Sequence, residues 1–120
     1  MSLKIDILGT EYTINRYDFN NKPEFEKNSW NGYCDEVTKE IALVNMKTFP
    51  GCENDSDEKL KKIEKQTLRH EIIHAFFNEC GLQDSTLQYG GGWAKNEEMV
   101  DWIALQFDKI LKAFKECDIV

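Results

Sequence analysis

The sequence predicts an α+β fold in which antiparallel β-hairpins pack on two long helices. Before residue 50, short segments alternate apolar and polar residues, which is typical of strands with one buried face. Residues 57–80 lie between an N-capping segment and a glycine that signals a helix end, and residues 97–114 carry an apolar stripe at helical spacing. The chain has 120 residues, a length that can bury one core but leaves no room for a second. We therefore predict a single domain over residues 1–120.

Two hairpins are expected in the N-terminal half of the chain. In the first, which covers residues 3–15, apolar and polar residues alternate on both sides of a turn at Gly9. The second runs from Tyr33 through a turn into Glu40–Val44, the most strand-like segment of the sequence. Residues 18–31 are polar and contain a proline, and we predict a loop or a short helix there.

The first long helix is predicted over residues 57–80. The polar residues 54–57 supply side chains for N-capping and negative charge for the helix dipole. Gly81 is a usual signal for the C-terminal end of a helix. From Leu68 onward, apolar residues surround the helix, a pattern that indicates burial on all sides.

The stretch His70-Glu71-Ile72-Ile73-His74 carries the clearest chemical signal in the chain. Residues four apart lie one above the other on a helix, so the two imidazoles project side by side and can share one tetrahedral Zn²⁺. The glutamate after the first histidine reaches the remaining water position, where it can accept a proton. The alternative is a surface helix that carries two histidines by coincidence. Against that alternative, both of the 2 histidines in the sequence fall in this motif.

A catalytic zinc site needs a third protein ligand and one open position. The sequence has no further histidine and no CxxC pair, so we expect a carboxylate from the second helix. Glu97 and Asp101 lie one turn apart along the margin of the apolar stripe of that helix, whereas Glu98 points to the opposite side. We therefore predict Glu97 as the third ligand, with Asp101 behind it. The apolar stripe consists of Val100, Ile103, Ala104, Phe107, Ile110, Leu111 and Phe114.

The sequence resembles the gluzincin-type zinc metallopeptidases, whose pattern is H-E-x-x-H followed by a helix with N-E-x-x-x-D. The matching residues are His70, Glu71, His74, Asn96, Glu97 and Asp101. The resemblance covers roughly residues 31–111 and implies a small zincin-like domain. It also implies that Glu97 ligates zinc and that Asp101 accepts the ring N–H of His70, which holds this histidine in its metal-binding tautomer. The small size is most similar to minimal gluzincins and, more loosely, to ImmA/IrrE-like peptidases of phages and mobile elements.

The same resemblance implies a strand along the rim of the substrate cleft, where an extended peptide adds by β-augmentation. Glu40–Val44 is the candidate for this strand, although an ordinary core strand explains its alternation equally well. Residues 90–93, with three glycines, are expected to connect the two helices, and a mobile flap beside the cleft is the alternative. Tyr33 and Tyr89 are both candidates for the hydrogen bond that stabilises the oxyanion.

The composition argues against two classes of partner. With 22 acidic and 15 basic residues, the net charge is −7, which disfavours a nucleic-acid-binding surface. No apolar run approaches the roughly 20 residues that span a membrane, and the charges near the N-terminus do not fit a signal peptide. We expect a cytoplasmic protein with reduced thiols, because its cysteines have no framework spacing. The cysteines are Cys34, Cys52, Cys80 and Cys117.

These observations predict a zinc-dependent endopeptidase that acts on a peptide or protein substrate, with Glu71 as the general base. Peptide hydrolysis is implied by the family resemblance, since the residues alone indicate metal-assisted hydrolysis. A zinc amidase that acts on a non-peptide bond is a minor alternative. A non-catalytic zinc domain that binds a partner is the alternative from a different class. Glu71 argues against this last alternative, because a structural site has no use for a base beside an open position.

Overall fold

A four-stranded mixed sheet and two long helices make up most of the described chain, an α+β arrangement. The computed structural model describes residues 2–80, 96–118 and 120. The strands are β1 (Leu3–Ile7), β2 (Thr10–Tyr17), β3 (Gly32–Asp35) and β4 (Glu40–Val44), and the helices are α1 (Pro23–Asn28), α2 (Asp57–Glu79) and α3 (Glu97–Glu116). Single 3₁₀ turns at Phe19–Asn21 and Met46–Thr48 follow β2 and β4. Both predicted hairpins and both predicted long helices are confirmed.

The two hairpins are joined by a parallel pair of strands. β1 pairs antiparallel with β2, and β3 pairs antiparallel with β4. β2 and β4 run parallel, with Thr13 opposite Glu40 and Tyr17 opposite Val44. The strand order is therefore β1-β2-β4-β3. The sequence predicted the antiparallel hairpins but not the parallel pairing, which turns two hairpins into one mixed sheet.

This strand order decides the role of Glu40–Val44. β4 lies between β2 and β3, so its backbone is hydrogen-bonded on both sides. Residues 41–44 are at most 1% exposed. The interpretation of this segment as a cleft-rim strand is therefore wrong, because a strand paired on both sides cannot accept an added peptide. It is a core strand, and among the described residues its hairpin partner β3 forms the edge of the sheet.

The alternating residues of β4 contribute to two apolar clusters, one on each face of the sheet. Ile41 and Leu43 pack in a cluster that includes Ala75 from the second half of α2. Ala42 and Val44 pack in a second cluster with α1, the residues after β4 and the start of α2. Because successive side chains of a strand point to opposite faces, one strand anchors both clusters. The second cluster consists of Phe25, Ala42, Val44, Met46 and Leu60.

Helix α2 begins and ends close to the predicted positions. Its N-cap is Ser56, whose Oγ accepts a hydrogen bond from the backbone N–H of Lys59 over 3.2 Å. The expectation that its second half is buried on all sides is wrong, because Phe76 is 38% exposed. Among the described residues, the buried positions of this half include the polar residues Glu71, His74 and Asn78. The inward side of α2 therefore carries polar residues beside the apolar Ala75.

Helix α3 packs on α2 through the N-terminal part of its apolar stripe. Val100 and Ala104 are at most 1% exposed, whereas Phe107 and Phe114 further along the stripe are more than 40% exposed. The N-cap of α3 is Asn96, whose Oδ1 accepts a hydrogen bond from the backbone N–H of Met99 over 2.9 Å. No described helix has both the length and the apolar character needed to span a membrane.

Candidate metal centre

Two imidazoles of α2 meet at the inner face of the helix. His70 and His74 lie one turn apart, and their Nε2 atoms are 3.1 Å from each other. With Glu71, they form a group whose ligand atoms all lie within 4.8 Å of one another. All three side chains are largely buried, with exposures of 17%, 11% and 9% for His70, His74 and Glu71. This group could hold a metal ion.

Glu97, the first residue of α3, reaches the same point from the second helix. Its Oε2 lies 3.0 Å from His70 Nε2, and its Oε1 lies 2.9 Å from His74 Nε2. In a tetrahedral zinc site with bonds of about 2.05 Å, neighbouring ligand atoms are about 3.3 Å apart. The two nitrogens and the carboxylate oxygens are therefore spaced closely enough to share one metal ion of that size.

Asp101 fixes the protonation of His70. The Oδ1 of Asp101 lies 2.6 Å from His70 Nδ1. An ionised carboxylate can only accept a hydrogen bond, so Nδ1 carries the proton and donates it. In the neutral imidazole, the lone pair of His70 is then on Nε2, the nitrogen that faces His74 and Glu97. This is the tautomer that a metal ligand requires.

The helical register of α3 separates its three acidic residues. Glu97 and Asp101 lie one turn apart and both line the cleft that contains the two histidines. Glu98 is exposed and is not part of the described cleft wall. Asn96 sets this register, because its side chain caps the helix and makes Glu97 the first helical residue.

Glu71 is the most deeply buried carboxylate beside the histidines. Its side chain is 9% exposed, and its Oε2 lies 4.0 Å from His70 Nε2. Burial raises the pKa of Glu71 to about 7, with His70 opposing this shift and the negative charges of Glu97 and Asp101 adding to it. Three carboxylates around two imidazoles make the site attractive to a cation, and a bound cation favours the ionised form of Glu71.

The histidines lie in a cleft of about 710 Å³ between α2 and the edge strand β3. Residues 29–34 form one wall, and α2 with the start of α3 forms the other. Gly32 lies close to both β4 and α2, because a Cβ atom there would lie 2.8 Å from the Ala42 carbonyl oxygen of β4 and 3.0 Å from Thr67 Cγ2 of α2. A side chain at this position would therefore press on β4 as well as on α2, and glycine avoids both contacts. This position was not predicted from the sequence, since nothing in the local pattern of residues 32–35 marks a close approach.

Asn78 is a second cleft residue that was not predicted from the sequence. It follows His74 by one turn of α2, and this i+4 spacing was the available signal. The residue is 8% exposed, and its Nδ2 donates a hydrogen bond to Cys34 Sγ over 3.8 Å. The buried Oδ1 of Asn78 has no hydrogen-bond partner among the described residues. Such an atom is uncommon in a folded protein and marks a polar spot in the cleft wall.

Of the two tyrosines considered for the oxyanion, Tyr33 lines the cleft. Burial is the main cause of the raised pKa of Tyr33, so its hydroxyl stays protonated and able to donate. Tyr89 and residues 90–93 lie outside the described residues.

Comparison with known proteins found no match, since no family model, no curated protein and no solved structure matches the chain. A function for this protein therefore has to follow from the chemistry of the cleft.

Proposed function

We propose that the protein is a zinc-dependent endopeptidase of the gluzincin type, with a zincin-like fold. The observation that carries the proposal is the convergence of His70 Nε2, His74 Nε2 and the Glu97 carboxylate within 3.3 Å, with Glu71 buried beside them. Two imidazole nitrogens and one carboxylate are a common ligand set of catalytic zinc, which leaves a fourth position open. Glu97 comes from a different helix, so the site also depends on how α3 packs on α2.

The protein's own groups supply proton transfer and orientation. When bound, zinc polarises the scissile carbonyl and lowers the pKa of a water molecule towards neutrality. Glu71 accepts a proton from the attacking water as the new C–O bond forms. It then delivers this proton to the amine nitrogen as the C–N bond breaks. Asp101 keeps the Nε2 lone pair of His70 directed at the metal throughout.

The edge strand β3 favours an extended peptide as the substrate. The Val44 N–H donates to the Asn31 carbonyl over 2.9 Å. In the register of β3 and β4, the next two residues that hydrogen-bond directly to each other are Tyr33 and Ala42. In an antiparallel ladder, the residues between such pairs direct their backbone groups away from the partner strand. Gly32 and Cys34 therefore offer N–H and C=O groups at the cleft edge. A peptide backbone can add there as a further strand.

The variant Glu71→Gln tests this function. It preserves the shape of the side chain and removes the base, so zinc content should stay the same while cleavage of a randomised peptide library falls about 10²- to 10⁴-fold. Mass spectrometry of the library after incubation with each zinc-loaded protein measures the effect. Equal cleavage by both proteins would show that Glu71 is not the base. Full zinc content without any cleavage by the unmodified protein would instead favour a non-catalytic zinc-stabilised interaction domain.

A further inference from the structure

Trp30 presents a large apolar surface in the wall of the candidate catalytic cleft. It lies between α1 and β3 and lines the same cleft as His70 and His74. The residue is 45% exposed, which is high for a tryptophan with so large an apolar surface. A single exposed aromatic residue is by itself ordinary. Trp30 differs from other exposed aromatic residues because it lies in the cleft wall and its ring packs against Tyr33.

The ring of Tyr33 contacts Trp30, and a second aromatic ring lies behind Tyr33. Its ring centroid is 6.2 Å from that of Tyr33, with the ring planes tilted by 51°. Tyr33 in turn lies 5.4 Å from Phe25, which is completely buried. The three rings form a row that leads from the core to the cleft, and contacts of this kind favour a defined ring arrangement.

The backbone on both sides of Trp30 is also fixed. Ser29 ends α1 in the left-handed conformation, with φ 55° and ψ 41°. Such a conformation is uncommon for a residue other than glycine, and it turns the chain sharply before Trp30. After Trp30, the Asn31 carbonyl accepts a hydrogen bond from the Val44 N–H. The tryptophan is therefore held between a helix end and a sheet hydrogen bond, and little ordering is needed when a ligand binds.

We propose that Trp30 forms a subsite for a large apolar or aromatic side chain of a peptide that lies along β3. This inference rests on the proposed peptidase function and names a specificity determinant for it. Trp30 precedes the first residue of β3 by two positions. The subsite therefore accepts a side chain near the end of the peptide segment that pairs with β3. Covering the exposed ring with an apolar side chain removes apolar surface of both partners from water.

Selection of peptides by the zinc-loaded Glu71→Gln protein tests the proposal, because this variant binds substrates without destroying them. A randomised peptide library should be enriched in peptides with Trp, Phe, Leu or Met at one position. In the same background, Trp30→Ala should abolish this preference and weaken binding of the selected peptides about tenfold or more. Trp30→Phe should retain the preference. Phe114→Ala should change nothing, because Phe114 is equally exposed, at 45%, but lies near the end of α3 outside the described cleft wall.

The outcomes separate the subsite from the proposed function. Unchanged selection by Trp30→Ala, or selection of lysine or arginine at the Trp30-dependent position, would overturn the subsite and leave the peptidase proposal intact. In another outcome, the selected peptides bind through Trp30 and yet resist cleavage by the zinc-loaded unmodified protein. This result would support the subsite and overturn the proposed peptidase function. A library that is neither enriched nor cleaved would overturn both.

Discussion

Asp101 accepts a hydrogen bond from one ring nitrogen of His70 over 2.6 Å, while the other ring nitrogen of this histidine lies 3.0 Å from Glu97. Both carboxylates come from the first two turns of α3, and the histidine comes from α2. A single helix register thus supplies one carboxylate that can bind a metal and one that orients an imidazole. The packing of two helices determines whether the site exists.

The first prediction concerns the three acidic residues at the start of α3. Glu97→Ala should weaken zinc binding most, because it removes a proposed ligand. Asp101→Ala should weaken it about 10- to 100-fold, the usual effect of losing a residue that orients a ligand. Glu98→Ala is the matched control and should have almost no effect, because Glu98 is exposed outside the described cleft wall. Competition with a chelator measures the order, and a dominant effect of Glu98→Ala would contradict the roles of Glu97 and Asp101.

The second prediction concerns Arg69, which links α2 to α3. Its Nε donates to the Ala104 carbonyl of α3 over 3.2 Å. Arg69→Ala should loosen α3 and lower zinc affinity about tenfold, because Glu97 is then held less firmly. In a Glu97→Ala background the same change should have little further effect, so a double-mutant cycle of zinc affinities should be strongly non-additive.

Arg16 provides the control for this cycle. It makes two hydrogen bonds to Glu64 away from the cleft, at 3.0 and 2.5 Å. Arg16→Ala should leave zinc affinity unchanged. Additive effects of Arg69→Ala and Glu97→Ala would show that Arg69 does not act through α3.

The third prediction concerns Gly32, where β3 lies close to both β4 and α2. Gly32→Ala should destabilise the fold by about 1 to 3 kcal/mol, because the added Cβ lies 2.8 Å from a backbone oxygen that cannot move aside easily. It should also impair peptide cleavage by displacing the edge strand. Gly9→Ala serves for comparison, since no atom lies within 4 Å of an added Cβ there. The loss of stability in this variant comes instead from the backbone, because alanine rarely adopts the φ of +91° found at Gly9. Urea unfolding should detect both changes, whereas a cleavage assay should detect Gly32→Ala alone.

The sequence predicted those parts of the fold that follow from local spacing. The alternation in residues 3–15 and 33–44 led to both hairpins, the end signals around residues 57–80 led to the first long helix, and the apolar stripe after residue 97 led to the second. The parallel pairing of β2 with β4 escaped prediction because it joins segments more than 20 residues apart, with no pattern that matches one to the other. As a result the cleft-rim role was predicted for β4, although β3 is the edge strand.

Local spacing in the sequence also decided which residues of the candidate site could be predicted. Spacing within one helix is enough to single out His70 and His74, and the helical phase of residues 97–101 is enough to distinguish Glu97 from Glu98. Trp30 and Asn78 were missed because their position in the cleft depends on how β3 packs against α2. The exposure of the far end of α3 was missed for a related reason. A periodic stripe predicts an apolar face but not how much of that face a neighbouring helix covers.

The fourth prediction concerns the dependence of stability on pH. Hydrogen bonds from Lys39 and Tyr12 are the main causes that lower the pKa of Glu79 to about 2. The pKa of Glu79 in the folded protein therefore lies below its ordinary value of 4.5. Folding favours the ionised carboxylate, so ionised Glu79 stabilises the fold at pH values above 4.5. The stabilisation is lost as the pH falls towards 2. The free energy of unfolding should therefore fall more steeply between about pH 5 and pH 2 for the unmodified protein than for Glu79→Gln.

Glu58→Gln is the control for this measurement. The Glu58 side chain is 82% exposed and forms an ion pair with Lys62 on the helix surface, at 3.5 Å. A surface pair of this kind contributes little, so this variant should keep the pH profile of the unmodified protein. Identical profiles for Glu79→Gln and the unmodified protein would show that the contacts with Lys39 and Tyr12 do not stabilise the fold.

The proposed site requires one metal ion that joins α2 to α3, and the zinc content of the purified protein tests this requirement most directly. Elemental analysis after reconstitution with zinc and removal of the excess should find about one equivalent per chain, as for a single complete ligand set. His74→Ala should retain far less under the same conditions, because it removes one of the two imidazoles. An unmodified, folded protein that retains no zinc after reconstitution would contradict the metal centre and the function built on it.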